Sequence, residues 1–313
     1  MLRGHQWIVD GGLGSTLQET GFSVNGDPLW SARVLATNPH AIKQVHASFL
    51  DAGAEIIITA SYQASISGLC NHLQITQEEA RKLMKLSVSL AQEAVQEYCA
   101  KISDKSKKPL VAGSIGPYGA CQANGSEYTG AYVSKVTSED LIEWHRPRME
   151  TLVNSGVDLL AIETIPAQAE ALAILDLLRE FPNTKAWLSF SCKDGQHTNY
   201  GDSFGEAAKM CYEKAGDQLL AVGINCSAPQ YITSLLDKAN LSLPPPTVLP
   251  RVVYPDSGEK YTANKGWEGR SEKWLFLKEV KEWQKHGSSV IGGCCRLGPN
   301  DIRDIASIIA SPE

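Results

Sequence analysis

The chain has 313 residues, of which 43% are hydrophobic and 20% charged, and its formal net charge is -6. This composition is ordinary for a soluble globular protein and excludes a disordered chain. Lys and Arg do not cluster, so the sequence carries no electrostatic footprint for nucleic acid, and we expect small-molecule partners.

The N-terminal stretch M-L-R-G-H-Q-W-I-V-D has no signal-peptide core, and no apolar run is long enough to span a bilayer. We therefore expect no membrane association and a cytoplasmic location. With eight cysteines and no secretion signal, reduced thiols are expected rather than disulfides.

Eight short apolar or β-branched runs follow one another along the chain. Most are continuously apolar, which is typical of strands covered on both faces. They are residues 7–10, 55–61, 109–116, 158–164, 186–192, 219–226, 247–254 and 290–295.

The segments between these runs carry helix signals. Thr76 and Glu79 form a predicted capping box, and Thr137 is predicted to open a second helix. Residues 271–286 predict a further helix that ends before Gly287, and the last predicted helix begins at Pro299.

Eight strands that alternate with helices in a chain of this length predict an α/β fold, a (β/α)8 TIM barrel that forms a single domain over residues 1–313. A doubly wound open sheet is the alternative. In a barrel of this kind the active site lies at the carboxyl ends of the strands.

Three cysteines lie at predicted strand ends: Cys226 after the sixth strand, and Cys294 and Cys295 after the eighth. Their thiolates would converge over the barrel mouth, where they suit one zinc ion and leave its fourth position open for water or substrate. The alternative is that they are ordinary buried cysteines. Cys192, after the fifth strand, is a competing ligand, whereas the other cysteines fall in helices or loops and are predicted to be structural: Cys70, Cys99, Cys121 and Cys211.

Ten collinear segments, which together span nearly the whole chain, resemble the zinc-dependent homocysteine S-methyltransferases, and in particular the branch that uses S-methylmethionine. Their order makes the resemblance far more specific than any one motif. They are D-G-G (10–12), D-P-L-W-S-A (27–32), I-T-A-S-Y-Q-A (58–64), V-A-G-S-I-G-P-Y-G-A (111–120), G-S-E-Y (125–128), H-R-P-R (145–148), E-T (163–164), G-I-N-C (223–226), V-V-Y-P-D-S-G-E (252–259) and I-G-G-C-C-R (291–296).

The resemblance implies a (β/α)8 barrel with one zinc per chain, bound by the three cysteines and by the sulfur of L-homocysteine. It also implies that Asp10 and Glu163 hold the amino-acid end of homocysteine, with Thr59 and the backbone near Gly11 close by. Asn225, beside Cys226, would orient the substrate or a loop.

A thiolate acceptor requires a donor with an activated methyl group, such as a sulfonium or a quaternary ammonium. Trp30 and Tyr118 are the candidates for the donor side, because aromatic faces attract such cations; the alternative is that they only pack. His145, Arg146 and Arg148 fall on the helix after the third strand, where a structural role is expected.

Three hypotheses follow. The first is methyl transfer to homocysteine from S-methylmethionine or S-adenosylmethionine, forming methionine, and the second is the same acceptor with betaine or another donor. Betaine-using relatives carry a C-terminal extension used in oligomer assembly, whereas this chain ends at Glu313, so the sulfonium branch and a monomer are expected. The third is a non-catalytic zinc- or thiol-binding barrel, which would need a fourth protein ligand.

Overall fold

The computed structural model describes residues 2, 4–24, 26–104, 108–242, 250–262, 266–269 and 273–311. It contains ten strands, and eight of them are parallel and form one sheet in the order β1-β10-β7-β6-β5-β4-β3-β2. The strands are β1 (Trp7–Ile8), β2 (Ile56–Ile58), β3 (Leu110–Ile115), β4 (Leu159–Ile165), β5 (Ala186–Phe190), β6 (Leu219–Asn225), β7 (Arg251–Tyr254), β8 (Lys260–Thr262), β9 (Gly266–Glu268) and β10 (Ser288–Ile291).

The two edges of this sheet meet, which closes it into a barrel. Val9 pairs in parallel with Ile56, and the backbone N–H groups of Glu55 and Asp10 donate to the carbonyls of Ile8 and Ile56 at 2.8 and 3.0 Å. The two strands outside the barrel, β8 and β9, pair as an antiparallel hairpin between β7 and β10. The predicted (β/α)8 barrel is confirmed, and the open-sheet alternative is wrong.

Helices follow the barrel strands and cover their outer faces. The described helices are α1 (Leu13–Glu19), α2 (Arg33–Thr37), α3 (Pro39–Asp51), α4 (Ile66–Leu73), α5 (Gln77–Lys101), α6 (Ser138–Asn154), α7 (Gln168–Leu178), α8 (Phe204–Ala215), α9 (Pro229–Ser242), α10 (Lys273–Lys285) and α11 (Pro299–Ala310). None of those in the described ranges is long and apolar enough to cross a membrane.

The predicted helix boundaries agree with the local chemistry. Thr76 and Glu79 form the capping box that opens α5, and Thr137 forms another with Asp140 at the start of α6. Gly287 follows α10 with φ +89°, a conformation that glycine adopts without a steric penalty. Of the predicted range 271–286, residues 271 and 272 lie outside the described residues.

Several strands are shorter than predicted. The second predicted strand, 55–61, ends at Ile58, although the Thr59 N–H still donates to Ala112 of the third strand. Beyond this point side chains replace the backbone, because the Thr59 hydroxyl accepts from the Ser114 N–H and the Ser61 hydroxyl donates to the Ser114 carbonyl. The last strand begins at Ser288 and ends at Ile291, so the two glycines and two cysteines that follow belong to a loop. Residues 247–249 of the seventh predicted strand lie outside the described residues.

Two apolar layers stabilise the barrel. The larger one lies between the sheet and the helices, and the smaller one fills the barrel interior. In the interior, the indole of Trp187 donates to the hydroxyl of Tyr254 at 3.1 Å. A packed interior leaves the carboxyl-terminal rim as the place where a cavity can open.

Candidate active site

A cavity of about 430 Å³ lies at the carboxyl-terminal rim of the barrel. Its lining comes from the loops that follow β1, β2, β3, β6 and β10, together with Glu163 and Thr164 near the end of β4 and Tyr254 at the end of β7. Of the residues predicted from the sequence, it brings together Asp10, Gly11, Trp30, Thr59, Glu163 and the three cysteines, Cys226, Cys294 and Cys295. Asn225 and Tyr118 do not line it.

The three cysteines form a compact cluster at this cavity. Cys226 follows β6 with φ +46°, and its N–H donates to the carbonyl of Tyr254 at 3.2 Å. Cys294 follows β10, and its N–H donates to Pro255 at 2.8 Å. Their ligand atoms, with that of Cys295, all lie within 4.8 Å of one another.

The donor set fits a zinc ion. Tetrahedral zinc with Zn–S bonds of about 2.3 Å places its sulfur ligands about 3.8 Å apart, and the sulfurs of Cys226 and Cys295 are 3.5 Å apart. Within the described part of the chain, no fourth His, Cys, Asp or Glu joins the group. Cys192 is instead buried in the core, with its N–H bonded to the Ser227 hydroxyl.

The sulfurs of Cys226 and Cys294 lie within bonding reach of each other, and their Cα atoms are 5.5 Å apart. The physical reason is that β6 and β10 deliver the two thiols to the same point. The expectation that the cysteines are reduced stays a prediction for this pair. A disulfide consumes both sulfurs, so the pair must be reduced before all three cysteines can bind a metal.

Glu163, near the end of β4, is buried beside the cluster. Its carboxylate accepts hydrogen bonds from the hydroxyls of Ser114 and Tyr254, the latter at 3.1 Å. Burial raises the pKa of Glu163 to about 7, and the two hydrogen bonds act in the opposite direction. The side chain can therefore change its charge near neutral pH.

Asp10, directly after β1, is the second buried carboxyl group of the cavity. It accepts a hydrogen bond from the N–H of Ile58 at 2.9 Å. Burial raises its pKa well above the usual range, and the negative charge of Glu163 adds to the rise. Two carboxyl groups in this environment favour a cation as their partner.

The neighbouring lining residues have defined local roles. The hydroxyl of Thr59 accepts from the N–H of Ser114 at 3.0 Å, which joins the rim ends of β2 and β3. Gly11 allows a close approach, because a Cβ there would lie 2.8 Å from the ring of Phe49 and closer still to the Leu297 carbonyl.

Asn225, at the end of β6, holds Thr164. Its Oδ1 accepts from the N–H of Thr164 and its Nδ2 donates to the Thr164 hydroxyl, both at 2.7 Å. Thr164 has φ +60°, an unfavourable conformation for a β-branched residue. Asn225 thereby orients the loop that follows Glu163, and its amide comes within 4.0 Å of the Cys294 sulfur.

The two aromatic candidates lie in different places. The ring of Trp30 lines the cavity, packs edge to face with Tyr62 at 6.3 Å, and lies against Gly14. Tyr118 packs on Tyr132 and Trp144 outside the lining, and its N–H donates to Glu170 at 2.6 Å.

The aromatic side chains at the mouth that the sequence did not single out are Tyr62 and Tyr128. Both fall in segments quoted for the family resemblance, but loop residues have no periodicity that would show which side chains face a cavity. Tyr254 ends a predicted strand, and a residue at that position is expected at the rim of the barrel, so the sequence could have identified it as a lining residue.

The H-R-P-R segment supports the rim from behind, as its predicted structural role requires. Arg148 is buried on α6 and donates to the carbonyls of Gly116, Ser61 and Tyr62 at 2.9–3.0 Å. It therefore fixes the loops after β2 and β3, which carry much of the cavity lining.

Comparisons with known proteins point to one family. The sequence model of the family described as homocysteine S-methyltransferase matches residues 7–309. The homocysteine S-methyltransferase of Bacillus subtilis is 43% identical over 96% of this chain and 93% of its own length. The betaine-homocysteine S-methyltransferase of Drosophila melanogaster is 41% identical over 91% and 88%.

Among solved structures, the metallated form of the homocysteine methyltransferase MmuM from Escherichia coli superposes with a TM-score of 0.85 at 36% identity. The match covers 97% of this chain and 96% of that one. The family match, the two sequence relatives and the shared fold lead to one conclusion: the chain belongs to the homocysteine S-methyltransferase family.

Proposed function

We propose that this enzyme transfers a methyl group from a sulfonium amino acid, S-methylmethionine or S-adenosylmethionine, to the thiol of L-homocysteine, and that it does so with one bound zinc ion. The observation that carries the proposal is the three-cysteine cluster, which opens onto a cavity that also holds Glu163 and Asp10. In the proposed enzyme Cys226, Cys294 and Cys295 hold the metal.

Homocysteine needs activation, because a free thiol has a pKa of about 8.5 and is mostly protonated at neutral pH. When bound, the zinc would supply that activation by taking the homocysteine sulfur as a deprotonated ligand. The proton leaves for solvent.

Glu163 and Asp10 would hold the ammonium group of homocysteine. A cation beside Glu163 favours its ionised form, so binding would lower a pKa that burial has raised to about 7. Thr59 and the backbone at Gly11 lie in the same lining and complete this end of the site.

The methyl transfer itself breaks one bond and forms one. The homocysteine sulfur forms a bond to the methyl carbon while the carbon–sulfur bond of the donor breaks, and its electron pair returns to the donor sulfur as a neutral thioether. The donor loses its positive charge in this step. The rings of Trp30, Tyr62 and Tyr128 line the cavity and would attract the onium group before transfer.

The charge of the cavity favours a cationic donor. Two charged lining residues are paired, Asp27 with Arg33 at 2.7 Å and Arg296 with Glu259 at 3.2 Å. The other charged groups among the described lining residues are the acids Asp10, Glu127 and Glu163. A sulfonium amino acid carries a net positive charge, but betaine carries none. Betaine is the second candidate donor, because the Drosophila relative is named for it.

A non-catalytic zinc protein is a weaker hypothesis. A structural site is closed by four protein ligands, and Cys192, the candidate for the fourth position, is buried in the core. Among the described residues the cluster keeps three ligands and an open side toward the cavity.

The test is methionine formation by reduced, zinc-loaded protein given homocysteine with S-methylmethionine, S-adenosylmethionine or betaine in separate reactions. We expect turnover with at least one sulfonium and little with betaine. Turnover with betaine alone would contradict the donor assignment, and no methionine from any donor, in protein with one bound zinc, would contradict methyl transfer to homocysteine.

A further inference from the structure

The loop between β3 and α6, residues 116–136 and here called the rim loop, crosses the mouth of the cavity. It contains three short 3-10 turns, Tyr118–Gln122, Ser126–Tyr128 and Ala131–Ser134. Glu127 and Tyr128, in the middle turn, line the cavity.

A buried carboxylate holds the rim loop on both sides of this middle turn. Glu170, on α7, accepts hydrogen bonds from the Tyr118 N–H at 2.6 Å and from the Tyr132 hydroxyl. The Nε2 of His145 donates to the same carboxylate at 3.0 Å. Because both flanking turns are held, the middle turn presents its side chains at a defined place over the cavity.

One carboxylate oxygen of Glu127 has no hydrogen-bond donor among the described residues. This atom, Oε2, is buried. The Glu127 carboxylate accepts from its own backbone N–H, so the unpaired acceptor is the Oε2 atom alone. The other acidic lining residues have no such oxygen among the described residues: Asp10 accepts from Ile58, Asp27 from Arg33 and Leu29, and Glu163 from Ser114 and Tyr254.

A buried acceptor is costly to leave unpaired, and a ligand that supplies an N–H recovers this cost. Burial also raises the pKa of Glu127, and a cationic ligand would restore its charge. Glu127 lines the same cavity as Cys226, Cys294 and Cys295, where the proposed methyl transfer would occur.

We infer that Glu127 binds the α-ammonium group of the methyl donor, and so restricts the donor to sulfonium compounds that are also amino acids. The inference rests on the proposed function and deepens it. In the proposed function the ammonium of homocysteine is bound by Glu163, in β4, and by Asp10, which follows β1, whereas Glu127 is on the rim loop.

The chemistry separates the two donor classes. S-methylmethionine and S-adenosylmethionine carry an α-ammonium with N–H donors a short carbon chain away from the sulfonium. The nitrogen of betaine is fully methylated and has no N–H to donate. With betaine bound, the buried oxygen of Glu127 would stay unpaired, and this penalty would act against betaine.

The test compares S-methylmethionine with dimethylsulfoniopropionate, which keeps the dimethylsulfonium and carboxylate groups but has no amino group. The variants are E127Q, E127D and the matched control E139Q, at an exposed position in the first turn of α6. Each is assayed for kcat/KM with both donors in reduced, zinc-loaded enzyme. If dimethylsulfoniopropionate is not a substrate, its inhibition constant against S-methylmethionine replaces kcat/KM.

We expect E127Q to lower kcat/KM for S-methylmethionine about 10- to 150-fold, the range for a hydrogen bond to a charged group. The value for dimethylsulfoniopropionate should change less than about threefold. E127D should retain more activity with S-methylmethionine than E127Q. The control E139Q should match the unmodified enzyme with both donors. The KM for homocysteine should be the same in E127Q as in the unmodified enzyme.

An equal loss with both donors would overturn the inference, because Glu127 would then act on the sulfonium or only support the loop. No loss with S-methylmethionine would overturn it as well. Failure of the unmodified enzyme to form methionine from any sulfonium is a different result, since it removes the proposed function and this inference together.

Discussion

Tyr254 donates its hydroxyl hydrogen to Glu163 across 3.1 Å and so joins the end of β7 to the end of β4. The same hydroxyl accepts from the indole of Trp187 and lies 2.8 Å from the Ser189 hydroxyl. The packed interior of the barrel is thereby connected to the carboxylate proposed to bind homocysteine.

The first prediction concerns pH. A hydrogen bond to a carboxylate favours its ionised form, so Tyr254→Phe should raise the pKa of Glu163 further above about 7. Because the ionised form binds an ammonium group, kcat/KM for homocysteine should fall as pH drops through this pKa. The midpoint pH of this fall in kcat/KM should be about one pH unit higher in Tyr254→Phe than in the unmodified enzyme.

Tyr132→Phe is the matched control for this pH profile, because its hydroxyl bonds to Glu170 instead of Glu163. The control should leave the midpoint pH of the fall in kcat/KM where it is. A profile that is the same in Tyr254→Phe and the unmodified enzyme would show that Glu163 does not control homocysteine binding.

The second prediction is a gain in stability at the cost of function. The pKa of Glu163 is about 7 in the folded protein against 4.5 for an unperturbed Glu, so ionisation is harder in the folded state. The raised pKa therefore lowers the free energy of unfolding. This destabilisation is complete above about pH 7 and absent below about pH 4.5. Glu163→Gln should therefore stabilise the metal-free protein at pH 8 by about 1–3 kcal/mol.

Urea unfolding at pH 8 and pH 5 measures this effect, and the gain should shrink toward pH 5. The same variant should bind homocysteine much more weakly. The gain is the stability of Glu163→Gln minus that of the unmodified protein at the same pH. A gain that is smaller at pH 8 than at pH 5 would contradict the sign of the pKa shift.

The third prediction concerns the metal ligands. Cys226→Ser, Cys294→Ser and Cys295→Ser should each lose zinc and activity together, with zinc affinity reduced by more than about a hundredfold. Elemental analysis of dialysed protein gives the zinc content. Cys70→Ser, at a partly exposed position on α4, is the control and should keep both. Full activity of any of the three variants in metal-free buffer would mean that the site is misassigned.

The fourth prediction concerns oxidation. With the Cys226–Cys294 disulfide formed, thiol titration of the unfolded chain should find six free thiols, and after reduction all eight. Zinc uptake should follow the eight-thiol form. Equal zinc binding with six and with eight thiols would show that the disulfide pair is not part of the metal site.

The fifth prediction concerns the packing of Trp30. A Cβ at Gly14 would overlap the far end of the Trp30 ring, which would have to move. Gly to Ala inside a helix normally stabilises by about 0.5–1 kcal/mol, so a loss of stability in Gly14→Ala would report the clash. We also expect the KM for the methyl donor to rise more than that for homocysteine. A more stable variant with unchanged KM values would show that the ring is not held by this contact.

The sequence was sufficient for the barrel and for the cysteine cluster. Continuous apolar runs mark buried parallel strands, and parallel strands end at one rim, so Cys226 and Cys294 could be expected to meet although 68 residues separate them. The family resemblance adds Asp10, Thr59 and Glu163, and the structure places all three in the cavity lining.

The rim loop could not be predicted in this way. Its course depends on Glu170, a residue of the following βα unit, and such a long-range contact leaves no local pattern. The sequence therefore points to Tyr118 for the donor side, whereas the structure places Tyr128 in the lining and packs Tyr118 on Trp144 outside it. The shortened second strand has a similar cause, because the hydroxyls of Thr59 and Ser61 bond across to β3.

A disulfide between Cys226 and Cys294 would also have a consequence for the folding equilibrium. It would close a loop that contains α9, β7, the hairpin, α10 and β10, and so includes the last two of the eight barrel strands. Closing a loop of this length restricts the unfolded chain and favours the native state by about 4 kcal/mol in the chain-entropy picture. A metal shared by the same cysteines would close the same loop. The chain would therefore be least stable when it is reduced and metal-free. It must pass through this state whenever a bound metal replaces the disulfide or the disulfide replaces the metal.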